Sequence, residues 1–214
     1  MAIFLRVSDI NGLASMDTAI DAVERAFRLQ GEGKAHIAPR RRCRMEKGML
    51  HLMSASLPPL GYAGLKSYTS VSGANRFVVL LYEGDGRLAA VMEADRLGQL
   101  RTGAASAVAT RFMAREDASR LGVFGAGGQA RAQIEAICAV RPITEVTVYS
   151  RTADRLKEFC RETAEATGIG VVPAGSPEAA VRGQDIVVTA TTSAEPVFKG
   201  EWLAAGTHIN AVGS

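Results

Sequence analysis

The chain has 214 residues, a length that suits one large domain or two small ones. Hydrophobic residues make up 47% of it and charged residues 22%, which excludes disordered, collagen-like and low-complexity proteins. The formal net charge of +3 is too small to indicate a nucleic-acid-binding protein.

The sequence contains neither a membrane-span pattern nor an export signal. Its longest apolar runs, such as residues 77–82, are far shorter than the roughly 20 residues that cross a bilayer. Asp9 and Asp17 interrupt the N-terminal segment, which argues against a signal peptide. Three cysteines have no metal-binding or redox-motif spacing, and their odd number argues against a set of disulfides: Cys43, Cys138 and Cys160. We therefore expect a cytoplasmic protein with reduced cysteines and no metal site.

Before residue 117 the pattern of apolar residues is mixed. Ser15 is expected to begin a helix that ends near Gly31. Strands are expected after it, at residues 49–53, 62–69, 77–82 and 87–92. Residues 83–86, Glu-Gly-Asp-Gly, are typical of a hairpin between the last two strands. A helix rich in small residues is predicted at residues 98–113.

After residue 117 predicted strands and helices alternate. The strands are expected at residues 120–124, 145–149, 170–172, 185–190 and 207–211. The helices are expected at residues 129–140, 153–166 and 177–181. This alternation is typical of a doubly wound parallel sheet of the Rossmann type. The sequence therefore predicts an α/β protein with an N-terminal α+β domain, residues 1–116, and a Rossmann-type domain, residues 117–214.

The last predicted strand ends three residues before the end of the chain. In open α/β sheets the loops after the carboxyl ends of the strands carry functional residues. We therefore expect the Rossmann-type domain to be incomplete and the chain to be a shortened form of a longer protein.

The most informative motif is Gly-Ala-Gly-Gly-Gln-Ala, which follows the first parallel strand and begins the next helix. In such a turn Gly125 permits the tight bend, Gly127 lets the backbone approach a diphosphate, and Ala130 lets helix and strand pack closely. The alternative is a purely structural turn. We predict a dinucleotide site formed by Gly125, Ala126, Gly127, Gly128, Gln129 and Ala130.

The end of the second parallel strand indicates which dinucleotide binds. NAD is typically held there by an acidic residue, and Ser150-Arg151-Thr152 contains none. Ser150 and Thr152 can donate hydrogen bonds and Arg151 can pair with a 2′-phosphate, so we predict NADP, with NAD as the alternative. A simpler interpretation is that Arg151 is a solvated charge and Ser150 caps the next helix. Small residues after the fourth strand are expected to line the same crevice: Thr189, Ala190 and Thr191.

Basic residues in the first half of the chain are candidates for holding an anionic substrate. The run Arg40-Arg41-Arg42-Cys43-Arg44 could offer an arginine to a carboxylate, or it could form a solvated edge. Lys66 lies among apolar residues and is either an acid/base group or a side chain that extends to water. Arg101, in the first turn of a predicted helix, is not favoured there by the helix dipole, which is compatible with function or with solvation.

Several segments together resemble the ornithine cyclodeaminase/mu-crystallin family. They are Gly-Leu-Lys at residues 64–66, Leu-Arg-Thr-Gly-Ala-Ala-Ser-Ala at residues 100–107, the glycine-rich turn, Val-Thr-Ala-Thr-Thr-Ser at residues 188–193 and His-Ile-Asn-Ala-Val-Gly at residues 208–213. The resemblance implies a homodimer whose first domain binds the substrate and forms the interface. It also implies that the family's longer members complete the first domain with their final segment, and it adds Thr102 and Val212 to the cofactor-binding residues.

The resemblance further implies that Lys66 and Arg101 hold the substrate carboxylate near the nicotinamide, with Lys66 also transferring a proton. An arginine of the basic run has a similar role. Arg41 matches best, two residues after Pro39, and Arg40 or Arg42 would replace it if the register shifts.

The family that the chain resembles contains ornithine cyclodeaminases, alanine dehydrogenases, opine-type synthases and reductases of cyclic ketimines. Its cyclodeaminases have Glu-Leu-Met where this chain has His51-Leu52-Met53, and the end of the second strand indicates NADP. We therefore expect NADPH-dependent reduction of Δ1-pyrroline-2-carboxylate or Δ1-piperideine-2-carboxylate. The alternatives are an NAD-dependent ornithine cyclodeaminase and a non-catalytic, NADPH-dependent binding protein of the mu-crystallin type.

Overall fold

The structure, a computed structural model, describes residues 1–71 and 74–212. The chain divides into two units, Met1–Gly98 and Gln99–Ser214. The sequence placed this boundary near residue 117. In the structure the boundary lies earlier, because the helix around residue 103 packs closely on the later part of the chain and so belongs to the second unit. A Cβ on Gly103 would lie 2.6 Å from the carbonyl oxygen of Ala132.

One mixed sheet forms most of the first unit. Its strands are β1 (Ile3–Leu5), β2 (His36–Ile37), β3 (Arg41–Met45), β4 (Gly48–Leu57), β5 (Tyr62–Val71), β6 (Ala74–Glu83) and β7 (Leu88–Glu93). The order is β1-β7-β6-β5-β4-β2, and β3 also pairs with β4. Only β1 and β7 among these pairs are parallel. The predicted α+β character of this part is confirmed, while β1 to β3 were not predicted as strands because they are short or rich in arginine.

Two helices, α1 (Val7–Leu13) and α2 (Met16–Gly31), belong to the same unit. Ser15 caps α2 as predicted, since its hydroxyl accepts a hydrogen bond of 3.2 Å from the Thr18 backbone N–H. The predicted hairpin is also present: the Glu83 N–H donates to the Arg87 carbonyl at 2.9 Å, and Gly86 has a φ of +87°. A short 3₁₀ helix, Pro58–Leu60, joins β4 to β5.

The second unit contains a parallel sheet of the Rossmann type, as predicted. Helix α3 (Asp95–Met113) leads into it, and the remaining elements are β8 (Arg120–Phe124), α4 (Gly128–Cys138), β9 (Glu145–Tyr149), α5 (Ala153–Thr167), β10 (Gly170–Pro173), β11 (Ile186–Thr189) and β12 (His208–Ala211). The strand order is β10-β9-β8-β11-β12, with every pair parallel. A 3₁₀ helix, Gly200–Trp202, precedes β12. The inner strands are buried on both faces, as parallel strands between helices must be.

The helix predicted at residues 177–181 is wrong, because this segment forms a series of turns. The Ala180 N–H donates to the Pro177 carbonyl and the Val181 N–H to the Glu178 carbonyl, both at a three-residue spacing, and a single bond, from the Arg182 N–H to the Glu178 carbonyl, has the four-residue spacing of an α-helix. The backbone here packs directly on β8, since a Cβ on Gly122 would lie 2.0 Å from the Ala180 carbonyl oxygen. This close approach favours a flat turn over a helix. Among the helices described, none combines the length and apolar character that crossing a bilayer requires.

Candidate active site

The glycine-rich turn connects β8 to α4 with the predicted geometry. Gly125 has a φ of +112°, its N–H donates to the Tyr149 carbonyl at 2.9 Å, and a Cβ there would lie 2.4 Å from the Ala190 carbonyl oxygen. Both the backbone angle and the close approach therefore require glycine. Gly127 differs, since its backbone is extended and a Cβ on it would meet nothing within 4 Å. The space beside Gly127 is open.

The N-terminus of α4 has the features of an anion site. Gly127 provides no capping side chain, and the first turn contains no acidic residue. The first backbone N–H groups of such a helix lack internal acceptors and, with the helix dipole, favour a negative charge. The Gln129 Nε2 atom is also buried without a hydrogen-bond partner among the described residues. These features fit the diphosphate of a dinucleotide.

A cavity of about 410 Å³ lies at the carboxyl ends of the parallel strands. The predicted cofactor residues that line it come from three loops: Gly125, Ala126, Ser150, Arg151, Thr152, Ala190 and Thr191. Tyr149, Pro196 and Val197 also line it and were not predicted. The position of Tyr149 as the last residue of β9 could have revealed it, since loops at strand ends form such crevices.

The remaining predicted cofactor residues lie around this cavity or in the core. Gly127 and Gly128 line a neighbouring cavity of about 460 Å³ that shares Ala126 with the first. Ala130 is fully buried and serves the close packing that was predicted for it. Val212 donates a backbone hydrogen bond of 2.9 Å to the carbonyl of Thr189, the last residue of β11. Gly213, part of the motif at residues 208–213, lies outside the described residues.

The end of β9 is polar and basic. Arg151 forms no ion pair with any described residue. Ser150 does not cap α5, because the N-cap residue is Thr152 and it makes no side-chain capping hydrogen bond. The simpler interpretation, in which Ser150 is a helix cap, is therefore wrong. Two hydroxyls and a guanidinium that line the same cavity can all bind a phosphate.

In the first unit Lys66 lies on a sheet face that also carries aromatic rings and a histidine. Its Nζ atom is 4.7 Å from the ring centroid of Phe77 and 5.3 Å from that of Tyr68. His51 stacks on Tyr68 with ring centroids 4.2 Å apart, and its Nε2 atom lies 3.0 Å from the Ser70 hydroxyl. The rings hold the ammonium group beside an aromatic surface.

The register of β3 decides which arginine shares this face. Arg42 lies opposite His51, which lies opposite Tyr68, whereas Arg41 lies opposite Leu52. Directly opposed residues project to the same side of a sheet and neighbours along a strand to opposite sides, so Arg42 shares the face of Lys66 and Arg41 does not. This register favours Arg42 over Arg41 for the face of Lys66, and the identity of the substrate-binding arginine stays a prediction.

Electrostatics agree with this placement. The pKa of His51 is lowered from its ordinary value, first by desolvation and then by the positive charges of Arg42 and Arg40. Desolvation and the neighbouring cations therefore favour the neutral form of His51. The face that carries Lys66 combines a neutral imidazole with several cations, which suits a substrate with one carboxylate.

In the second unit Arg101 and Thr102 lie on α3. Arg101 is exposed and Thr102 half-buried. The helix begins at Asp95, so Arg101 lies beyond the first turn and the helix-dipole argument from the sequence does not apply to it. The joint action of Arg101 and Lys66 on one carboxylate stays a prediction.

Comparison with known proteins identifies relatives along the whole chain. An alanine dehydrogenase of Archaeoglobus fulgidus is 37% identical over 223 residues, which cover 99% of this chain and 67% of that protein. The Δ1-pyrroline-2-carboxylate reductase of Thermococcus litoralis, solved with NADH and L-proline, superposes with a TM-score of 0.94 at 36% identity over 99% of this chain and 68% of its own. A dimeric archaeal alanine dehydrogenase with bound NAD has a TM-score of 0.91 at 39% identity, covering 98% and 67%.

The chain thus spans about two thirds of the length of these relatives. These relatives are NAD(P)-dependent oxidoreductases that act on C–N bonds, which is the enzyme class that the sequence predicts for this chain. The family profile matches residues 1–214. The chain belongs to the ornithine cyclodeaminase/mu-crystallin family.

Proposed function

We propose that this protein reduces a small cyclic imino acid, Δ1-pyrroline-2-carboxylate or Δ1-piperideine-2-carboxylate, to the cyclic amino acid with NADPH. The observation that carries the proposal is the cavity at the end of β9, where Ser150, Arg151 and Thr152 are present and, among the residues that the structure describes, no carboxylate lines the wall. Such a set favours a 2′-phosphate over a free ribose hydroxyl. The similarity to a reductase solved with L-proline supports the substrate class.

The residues of the first unit have separate tasks in the proposed reaction. NADPH, when bound, supplies the hydride that adds to the carbon of the C=N bond. Lys66 and an arginine of its sheet face, Arg42 or Arg40, hold the substrate carboxylate together with Arg101. The Lys66 ammonium donates a proton to the imine nitrogen, which makes the carbon more electrophilic and leaves an amine after hydride addition.

We also propose a homodimer whose first unit, residues 1–98, forms the interface and binds the substrate. The similarity to a dimeric archaeal alanine dehydrogenase supports this assembly. The cytoplasmic location expected from the sequence stays a prediction.

The cofactor assignment is tested by thermal unfolding with saturating NADPH and, separately, NADH, since a ligand of the folded state raises the melting temperature. We expect the larger increase with NADPH. Arg151→Ala should weaken NADPH binding about 10- to 100-fold and leave NADH binding within about threefold, because one charge-assisted contact is lost. The matched control is Arg161→Ala, since Arg161 is paired with Glu158 and Glu165.

Turnover then separates the proposed reaction from its alternatives. Oxidation of NADPH by either cyclic imine supports the reductase. Ammonia release from ornithine with NAD would establish a cyclodeaminase instead. Tight NADPH binding with no oxidation by any imine would establish a binding protein.

A further inference from the structure

Gln99 of α3 lies against the glycine-rich turn of the second unit. A Cβ on Gly128 would lie 2.9 Å from the Gln99 Nε2 atom and 3.7 Å from its Oε1 atom. Four residues later along both helices, Gly103 contacts the backbone of Ala132. The small residue at position 103 thus lets α3 approach α4 closely, and this approach holds the Gln99 amide beside the first residue of α4.

The Gln99 side chain makes no hydrogen bond with any residue that the structure describes. The residue is half-buried where the two helices meet. Nearby, Gln129 Nε2 is buried and also lacks a partner in the described chain. Two residues whose side-chain amides lack partners in the described chain, Gln99 and Gln129, therefore flank an uncapped helix N-terminus, which favours a ligand with acceptor oxygens.

We propose that Gln99 is a further cofactor-binding residue, whose Nε2 atom donates a hydrogen bond to the diphosphate of the bound dinucleotide. The proposal rests on the proposed function only in requiring a dinucleotide, because NADPH and NADH share the diphosphate. Gln99 stands two residues before Arg101 on the same helix. The close packing of α3 on α4 would therefore place the phosphate contact and a proposed substrate contact on one rigid element.

The test compares two Gln99 variants, each titrated with three ligands. Gln99→Glu keeps the size of the side chain but replaces the donor with a negative charge, and Gln99→Leu removes all hydrogen bonding. Dissociation constants are measured by fluorescence titration for NADPH, NADH and adenosine 2′-monophosphate, which lacks the diphosphate. The matched control for added charge is Gln30→Glu, at an exposed position near the end of α2.

We expect Gln99→Glu to weaken NADPH and NADH binding by about tenfold or more and Gln99→Leu by about threefold to tenfold. Neither variant should change the affinity for adenosine 2′-monophosphate, and Gln30→Glu should behave as the unaltered protein. The proposal is overturned if both Gln99 variants bind the dinucleotides normally. It is equally overturned if they lose adenosine 2′-monophosphate to the same extent, since that would indicate distortion of the whole unit.

The cofactor preference is a separate result of the same titrations. If the unaltered chain binds NADH and not NADPH, the assignment of Arg151 fails. The role of Gln99 is then decided by NADH, with adenosine as the ligand that lacks the diphosphate.

Discussion

At the scale of single residues, two glycines of one turn have different tasks. Gly125→Ala places a Cβ 2.4 Å from the Ala190 carbonyl oxygen at a φ of +112°, so we expect a loss of about 2–4 kcal/mol in the free energy of unfolding. Gly127→Ala meets no atom within 4 Å and should cost about 1 kcal/mol or less. Its methyl group enters the space for the diphosphate, so NADPH binding should weaken at least about tenfold.

Urea unfolding and NADPH titration of the two variants check this contrast. The two glycines serve as controls for each other. Normal NADPH affinity in Gly127→Ala would mean that the diphosphate does not approach this part of the turn.

At the scale of secondary-structure elements, the C-terminus of α3 depends on one arginine from the segment after α4. The Arg141 guanidinium donates hydrogen bonds of 2.7–3.0 Å to the carbonyl oxygens of Thr110, Arg111, Ala114, Arg115 and Val140. A positive charge is also favoured at a helix C-terminus. Arg141→Lys cannot reproduce the planar set of donors, so we expect a loss of about 1–3 kcal/mol in the free energy of unfolding.

The matched control is Arg161→Lys on the exposed side of α5, where the ion pairs with Glu158 and Glu165 are open to solvent. Because solvent screens these pairs, this change should leave the urea midpoint nearly unaltered. Equal urea midpoints for the two variants would contradict the capping role of Arg141.

At the scale of the whole molecule, stability should depend on pH through a buried histidine. Desolvation lowers the pKa of His208 from its ordinary 6.5, the charge of Arg141 adds to this, and the hydrogen bond with Asn210 opposes it. Below pH 6.5 the unfolded chain therefore binds more protons than the folded chain. The stabilising contribution of neutral His208 is present above pH 6.5 and is lost as the pH falls below it.

We expect the melting temperature to decrease between pH 7.5 and pH 5.5 and His208→Gln to reduce this decrease, measured by circular dichroism. His36→Gln, at an exposed position, is the control. His51, whose pKa is also lowered, should contribute a decrease of the same sign in the first unit. An unchanged pH dependence in His208→Gln would show that His208 is not its source.

The sequence by itself determined the features that depend on local chemistry. The glycine-rich turn could be predicted because its positive φ requires glycine, and the start of α2 because Ser15 can act as its N-cap. The parallel strands could be predicted because strands buried on both faces are continuous apolar runs. The two sheet-forming parts of the chain could therefore be predicted, while the family was identified from the resemblance of its motifs. The cavity could be predicted as well, because the loops that follow the carboxyl ends of parallel strands form a crevice at one edge of the sheet.

Only the tertiary structure decided the features that depend on partners distant in sequence. Ile37 pairs with Ala55, and Arg41 pairs with Leu52. Residues 38–40 therefore oppose only residues 53 and 54 of β4, and the extra residue shifts the register so that Arg42 shares the face of Lys66. The turns at residues 177–183 result from close contact with Gly122, and the contact of Gln99 with Gly128 from the packing of α3 on α4. Composition and periodicity contain no information on such backbone contacts, because each depends on where a second segment lies.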